Sequence, residues 1–368
     1  MLGWFIAGLA LAFVTGLGLT YLRRGRRSLA YPAPDAAIEQ MLQLAAAHPD
    51  LCHVEVVGTS TEGRPIHAFR IRGRNPGAGE RPRLLVTAQI HAIEFVGSYV
   101  ARSVARRLLS GYGRQRHVTE LLDRADVWVV PLLNPDGAVR VWNAHGWCGL
   151  GQARFTATGV DPNRNFPFVE RAGKKSWNSA REQPGSAYYR GPRPLSEPEC
   201  AALAHLCRRE RFCAAVNFHS FGGVVFMPTL QTDVGAHPDA LKAARAFAVF
   251  RDVFQAHQAH LRYKPVPERS ASITGQLDPF LFEAFGTVSV TVEVSRPNLA
   301  ILLPWNIVPL FWWANPMRPQ VWEENDAEAT VHALVALLER TDGVPCVAVH
   351  PALADAVSVA VGDEKERG

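Results

Sequence analysis

A chain of 368 residues, 48% hydrophobic and 20% charged, can bury a large core and is not a disordered tract. Arg23, Arg24, Arg26 and Arg27 supply four units of its net charge of +5, and the remaining balance of about +1 implies no nucleic-acid-binding surface. Six cysteines with no CxxC pair exclude a disulfide-rich scaffold and read as reduced, mostly buried thiols.

Residues 2–22 carry no charge, a run long enough for a helix to cross a hydrocarbon core ~30 Å thick. The basic block follows this run instead of preceding it, and Thr20-Tyr21-Leu22 is a poor cleavage site. Charge asymmetry then leaves the N-terminus outside and the body in the cytoplasm, on a single-pass membrane anchor. A cleaved signal with a periplasmic, exported body is the alternative. The expected organisation is an anchor and basic flank over 1–27, one domain over 28–340 and a solvated tail over 341–368.

Within the domain the pattern predicts a helix over Asp35–Ala47 and strands over Cys52–Gly58 and Ile66–Ile71. Leu84–Ile90 reads as a buried strand running into a helix over Phe95–Leu109. Ala125–Leu133 is a further buried strand, ending in Asn134-Pro135-Asp136-Gly137. Residues 138–195 are loop-rich, and an irregular stretch of that length inside a domain is usually functional. Ser196 reads as an N-cap with Glu199 as its capping-box partner, opening a helix to Arg209. Phe212–Phe218 is a strand that delivers His219 and Ser220. A helix over Pro238–Gln258, a β-branched strand over Val288–Val294 carrying Glu293, and a helix over Asn325–Arg340 follow. Leu299–Trp313 is apolar but broken by Pro304 and Pro309, so it reads as core or pocket wall. There is no internal repeat. The fold class is α/β: a single domain with a mixed, largely parallel central sheet flanked by helices, preceded by one N-terminal transmembrane helix. Active residues belong at the carboxyl ends of its strands.

His91 and Glu94 stand three residues apart where a strand turns into a helix, so both can point at one spot, as a divalent metal requires. With them come NPDG at 134–137, GVDPNRNF at 159–166, SEPE at 196–199, HS at 219–220, TVEV at 291–294 and LLP at 302–304. In this order and spacing, over roughly residues 35–340, the chain resembles the zinc carboxypeptidase family, the carboxypeptidase A-like metallopeptidases. The resemblance implies one zinc ion held by His91, Glu94 and His219, the His₂Glu set for which carboxypeptidase A is the type case. It implies hydrolysis of a C-terminal peptide bond by zinc-activated water, with Glu293 as general base. Asp161 matches the acid that orients the first ligand histidine, and Asn163 and Arg164 the pair that grips the substrate carboxylate. A planar guanidinium binds a carboxylate with two bonds, which lysine cannot do. Leu277, with Leu302, falls where the family lines its specificity pocket, implying an uncharged, apolar C-terminal side chain. The implied substrate is a peptide or acyl-amino acid with a free carboxylate.

Four departures stand against the pattern. Ile93 replaces an arginine between the first two ligands. Trp147-Cys148-Gly149 lies where the family carries its oxyanion arginine, leaving Arg140 or Arg154 as substitutes. The mobile tyrosine falls near Ser270–Ser272, and Phe221 replaces the tyrosine after the third ligand. Two further readings remain open: a zinc amidase or deacylase acting on a small acyl-amino acid or cell-wall peptide, and a non-catalytic zinc or peptide-binding module. The other eleven histidines, His117, His257 and His332 among them, read as ordinary.

Overall fold

The computed structural model describes residues 8, 11–16, 31–75, 79–170, 175–228, 239–268, 273–297 and 310–357. Strands β1 (Cys52–Thr59), β2 (Pro65–Ile71), β3 (Arg83–Ala88), β4 (Asp126–Val130), β5 (Ala214–Ser220), β6 (Val224–Pro228), β7 (Lys264–Glu268) and β8 (Val288–Val294) form one eight-stranded sheet, in the order β1-β2-β4-β3-β5-β8-β6-β7. The block β4-β3-β5-β8 is parallel, whereas β1–β2, β2–β4 and β6–β8 pair antiparallel. The helices are α1 (Pro34–Ala46), α2 (Phe95–Gly111), α3 (Arg116–Arg124), α4 (Pro135–Asn143), α5 (Pro198–Glu210), α6 (Ala240–His257), α7 (Leu277–Phe285), α8 (Phe311–Ala314) and α9 (Pro319–Thr341).

The apolar runs of β4 and β5 follow from position: every residue of both is buried, because helices cover both faces of the parallel block. In β3, Leu84, Val86 and Ala88 join the core under α2, α6 and α9, while Leu85 faces the other core, under α5 and α7. Each such Leu or Val contributes ~1.5–3 kcal/mol over an exposed one. Helix α2 crosses β5 closely: a Cβ on Gly97 would lie 3.1 Å from the Phe218 carbonyl oxygen. That close approach sets the start of α2 beside the end of β5. A buried polar cluster fixes α7 on the same strands: Asp278 accepts from the Asn217 amide and from the Ser289 and Thr291 hydroxyls.

Several expectations need correction. The start of α5 is set by Pro198, at its first position; Glu197 is the N-cap residue and no side chain caps it. Ser196 lies one residue too early, and its hydroxyl instead accepts from Asn165 Nδ2 at 2.9 Å. Residues 138–143, expected in the loop-rich stretch, belong to α4, which opens at NPDG: Asn134 caps it by accepting from Gly137 N at 2.9 Å, with Pro135 in the first turn. Part of the expected tail packs back on the domain, with Cys346 and Val357 buried. No helix among the described residues is long and apolar enough to cross a membrane. The 2–22 run lies outside the described residues except for positions 8 and 11–16, as do residues 299–309 and 358–368.

Candidate metal centre and cleft

Adjacent parallel strands open their carboxyl ends at one edge of the sheet. His219, near the end of β5, is in register with Glu293 of β8, and β3 delivers His91 three residues beyond Ala88. Glu94 occupies the N-cap position of α2 without capping it. Asn315 does so in its place, accepting from Val96 N at 2.9 Å and donating to the Ile93 carbonyl at 2.7 Å. The Glu94 carboxylate thus stays with the histidines: Oε1 lies 2.8 Å from His91 Nδ1, Oε2 3.0 Å from His219 Nδ1, and the two Nδ1 atoms 3.2 Å apart. Bonds of ~2.0–2.2 Å in a tetrahedron would place ligand atoms about 3.4 Å apart. All three side chains are buried, and Glu94 Oε2 has no hydrogen-bond partner, the condition of a carboxylate oxygen suited to a cation.

The two carboxylates at this edge differ in proton affinity. Burial pushes the Glu94 carboxyl up, but His91 and His219 outweigh it and hold it at about 2. Burial, then repulsion from Glu94, pushes Glu293 well above the ordinary range against the pull of Arg154, and its Oε2 is unpartnered. A pair split in this way separates an ionised ligand from a group that can carry a proton.

Asp161 backs the centre. It is fully buried, with Oδ1 3.3 Å from His91 Nε2 and accepting from Asn163 N at 3.0 Å. Its Oδ2 accepts from Arg154 Nε at 2.9 Å. Burial opposes its ionisation, but Arg154, Arg164 and His91 together hold it well below the usual carboxylate range. Of the two candidate arginines, Arg154 lines the cleft, its Nη2 2.9 Å from His91 Nε2. Arg140 spends its guanidinium on the carbonyls of Thr156 (3.1 Å) and Phe155 (2.7 Å). Nothing in the sequence pattern ranked one above the other; the fold of the loop does.

Asn163 and Arg164 are buried and line the same cleft, of about 570 Å³. Arg164 donates to the Asn178 carbonyl at 2.8 Å. The Tyr188 ring lies 5.5 Å from the Arg164 guanidinium and 5.4 Å from that of Arg154, a contact the sequence reading missed because Tyr188 sits in an unpatterned loop. Gly275 passes against Arg164 at a φ of +78, where a Cβ would sit 2.2 Å from the Arg164 carbonyl oxygen. Leu277 is not a wall of the cleft. As the first residue of α7 it turns its side chain into the core with Phe166 and Phe280, and only its backbone N–H reaches the site, donating to Asn163 Oδ1 at 2.9 Å. Phe221, Phe226, Val266, Ile273, Gln276 and Thr291 form the wall instead. Leu302 and Ser270–Ser272 lie outside the described residues.

A family model described as zinc carboxypeptidase matches residues 38–313. Carboxypeptidase B of Homo sapiens is 28% identical over 270 residues, 71% of this chain and 62% of its own length. Mast cell carboxypeptidase A of Mus musculus is 28% identical over 232 residues, 60% of this chain and 53% of its own. The chain thus spans little more than half the length of these curated relatives. Among solved structures, thrombin activatable fibrinolysis inhibitor superposes with a TM-score of 0.64 at 19% identity, covering 84% of this chain and 74% of its own. Carboxypeptidase A from Helicoverpa armigera gives 0.62 at 19% identity, covering 82% and 74%. At these identities the structural likeness is one of fold.

Proposed function

The chain belongs to the zinc carboxypeptidase family, and from that premise we propose that it is a zinc-dependent metallocarboxypeptidase that removes a C-terminal residue from a peptide. The observation that carries this reading is the convergence of His91 Nδ1, Glu94 and His219 Nδ1 at the edge of a cleft that also holds Glu293. Two neutral imidazoles and a carboxylate fit zinc and leave a fourth position open. A zinc ion there supplies Lewis acidity and, by lowering the pKa of water to ~7, a nucleophile at neutral pH.

The rest falls to this chain's own side chains. Glu293 takes the proton of the attacking water and returns it to the leaving amine, a task suited to a carboxylate whose burial raises its proton affinity. Arg154 directs its guanidinium into the cleft, where it stabilises the developing oxyanion. Asp161, beside His91 Nε2, holds the ring so that Nδ1 faces the ligand position. Asn163 and Arg164 bind the free carboxylate of the substrate, which makes the reaction an exopeptidase one. Phe226, Val266 and Ile273, with Gln276 and Thr291 as the polar members, favour an uncharged, apolar side chain at the C-terminus. For location, the uncharged run 2–22 and the arginines after it support membrane anchorage with the domain in the cytoplasm. A reporter fused at the C-terminus tests that side of the membrane.

The activity test is hydrolysis of N-blocked dipeptides carrying free or amidated C-termini, with and without chelator. The expected result is chelator-sensitive cleavage of the free acids only, fastest with apolar C-terminal residues. Equal cleavage of amides would remove the carboxylate clamp and favour an amidase.

A further inference from the structure

Outside the cleft, four chemistry-bearing side chains from three helices meet on one patch. His117 stands in the first turn of α3, Glu328 and His332 one turn apart on α9, and His257 ends α6. None of them lines the cleft. His117 Nε2 lies 3.3 Å from Glu328 Oε1, and His332 Nε2 lies 3.5 Å from the same oxygen. Neither contact is a hydrogen bond, and His117 Nε2 is buried without any partner. Separations of 3.3 and 3.5 Å are those between neighbouring ligand atoms around a tetrahedral zinc with bonds of ~2.0–2.2 Å. The second carboxylate oxygen is held by Arg107 Nη1 at 2.9 Å, which orients Oε1 toward the imidazoles.

We propose that His117, Glu328 and His332 form a second zinc site, distinct from the cleft, that ties α3 to α9. The three side chains are 26–28% exposed, so an ion from solvent can reach them and a water can complete the tetrahedron. The two rings stack at 4.2 Å with 16° between planes, and the three ligand atoms lie within 4.8 Å of one another. Stacked planes cannot both direct an in-plane lone pair at one ion, so binding requires these partly exposed rings to turn until both Nε2 atoms face it, about the Glu328 oxygen they already flank. His257 stacks on His332 at 3.8 Å, with its Nδ1 2.9 Å from the Val253 carbonyl oxygen. The site's role is structural: it joins α3 to the long helix α9 that lies over the sheet.

The test is a titration of the chelator-stripped full chain with zinc chloride, followed by metal analysis and thermal unfolding. Wild type should bind two equivalents. His117→Ala with His332→Ala, and separately Glu328→Gln, should each bind one, keep wild-type peptidase turnover, and lose part of the zinc-dependent rise in melting temperature. Glu328→Gln preserves shape, so a folding defect in the double variant does not decide the matter. Cobalt substitution adds a second reading: two tetrahedral absorption signals in wild type and one in Glu328→Gln. A single equivalent in wild type that Glu328→Gln also retains, or two equivalents retained in Glu328→Gln, overturns the proposal.

Discussion

Replacing Arg154 by alanine removes one guanidinium that touches both Asp161 and His91 Nε2 and faces the cleft. Two effects are expected. For stability, opposite charges 2.9 Å apart attract by about 6 kcal/mol at an effective dielectric of ~20. Arg154 is 25% exposed, and Asp161 keeps the Asn163 N–H and the attraction of Arg164. The net cost is therefore ~2–3 kcal/mol, below the ~3–5 of breaking a fully buried pair. For chemistry, loss of an oxyanion donor should lower kcat by ~10²–10³ with KM little changed. Zinc content should hold, because none of the three ligands is altered. Arg154→Lys should recover part of the stability and little of the turnover, since an ammonium lacks the guanidinium fork. The assays are dipeptide hydrolysis, metal analysis and a urea midpoint on each variant. A kcat within about threefold of wild type in zinc-loaded Arg154→Ala would refute the oxyanion role, leaving the residue a partner of Asp161 only.

Asp161→Asn should weaken zinc binding at the cleft by ~10–100-fold through loss of its hold on the His91 ring, measured by chelator competition; unchanged affinity would argue that packing alone orients the ring. Gly275→Ala should raise KM more than it lowers kcat, since its Cβ would press on the Arg164 carbonyl and displace the carboxylate clamp; an effect confined to kcat would count against that clamp. Glu199 is fully buried, with neither oxygen hydrogen-bonded, and burial, then Glu197 and Asp136, push its carboxyl up to about 7. Its folded value lies above its unfolded one, so the native state holds the extra proton and loses stability as pH rises from about 4.5 through 7. At ~1.36 kcal/mol per unit, Glu199→Gln should therefore gain up to about 3 kcal/mol on wild type between pH 5 and pH 8; parallel stability profiles in urea would contradict the buried-acid reading.

What the sequence revealed and what it hid divide along physical lines. His91, Glu94, His219 and Glu293 were legible because buried parallel strands announce themselves as apolar runs, and such strands deliver residues to one edge of a sheet. Strand β7 was hidden because its Lys264-Pro-Val-Pro-Glu268 reads as a loop; as the last strand of the sheet it tolerates prolines that a central strand would not. Helix α4 was hidden because NPDG has turn chemistry, which here serves as a helix start. Leu277 was misassigned for a related reason: α7 begins at that residue, and the first turn of a helix sends its side chain in a direction a loop reading cannot supply. The choice of Arg154 over Arg140 depends on which guanidinium the loop carbonyls consume, a fact of tertiary packing. The imidazoles of α3, α6 and α9 were read as ordinary because their positions are far apart in the chain and only helix packing brings them together.

The most direct measurement is zinc content and dipeptide turnover on the same preparations of wild type, His219→Ala and Glu293→Gln. The expected result is that Glu293→Gln keeps the zinc of wild type while turnover falls by ~10²–10⁴, and that His219→Ala loses one zinc and all turnover. Wild-type turnover in Glu293→Gln, or undiminished zinc in His219→Ala, would contradict the assignment of this edge of the sheet as a hydrolytic metal centre.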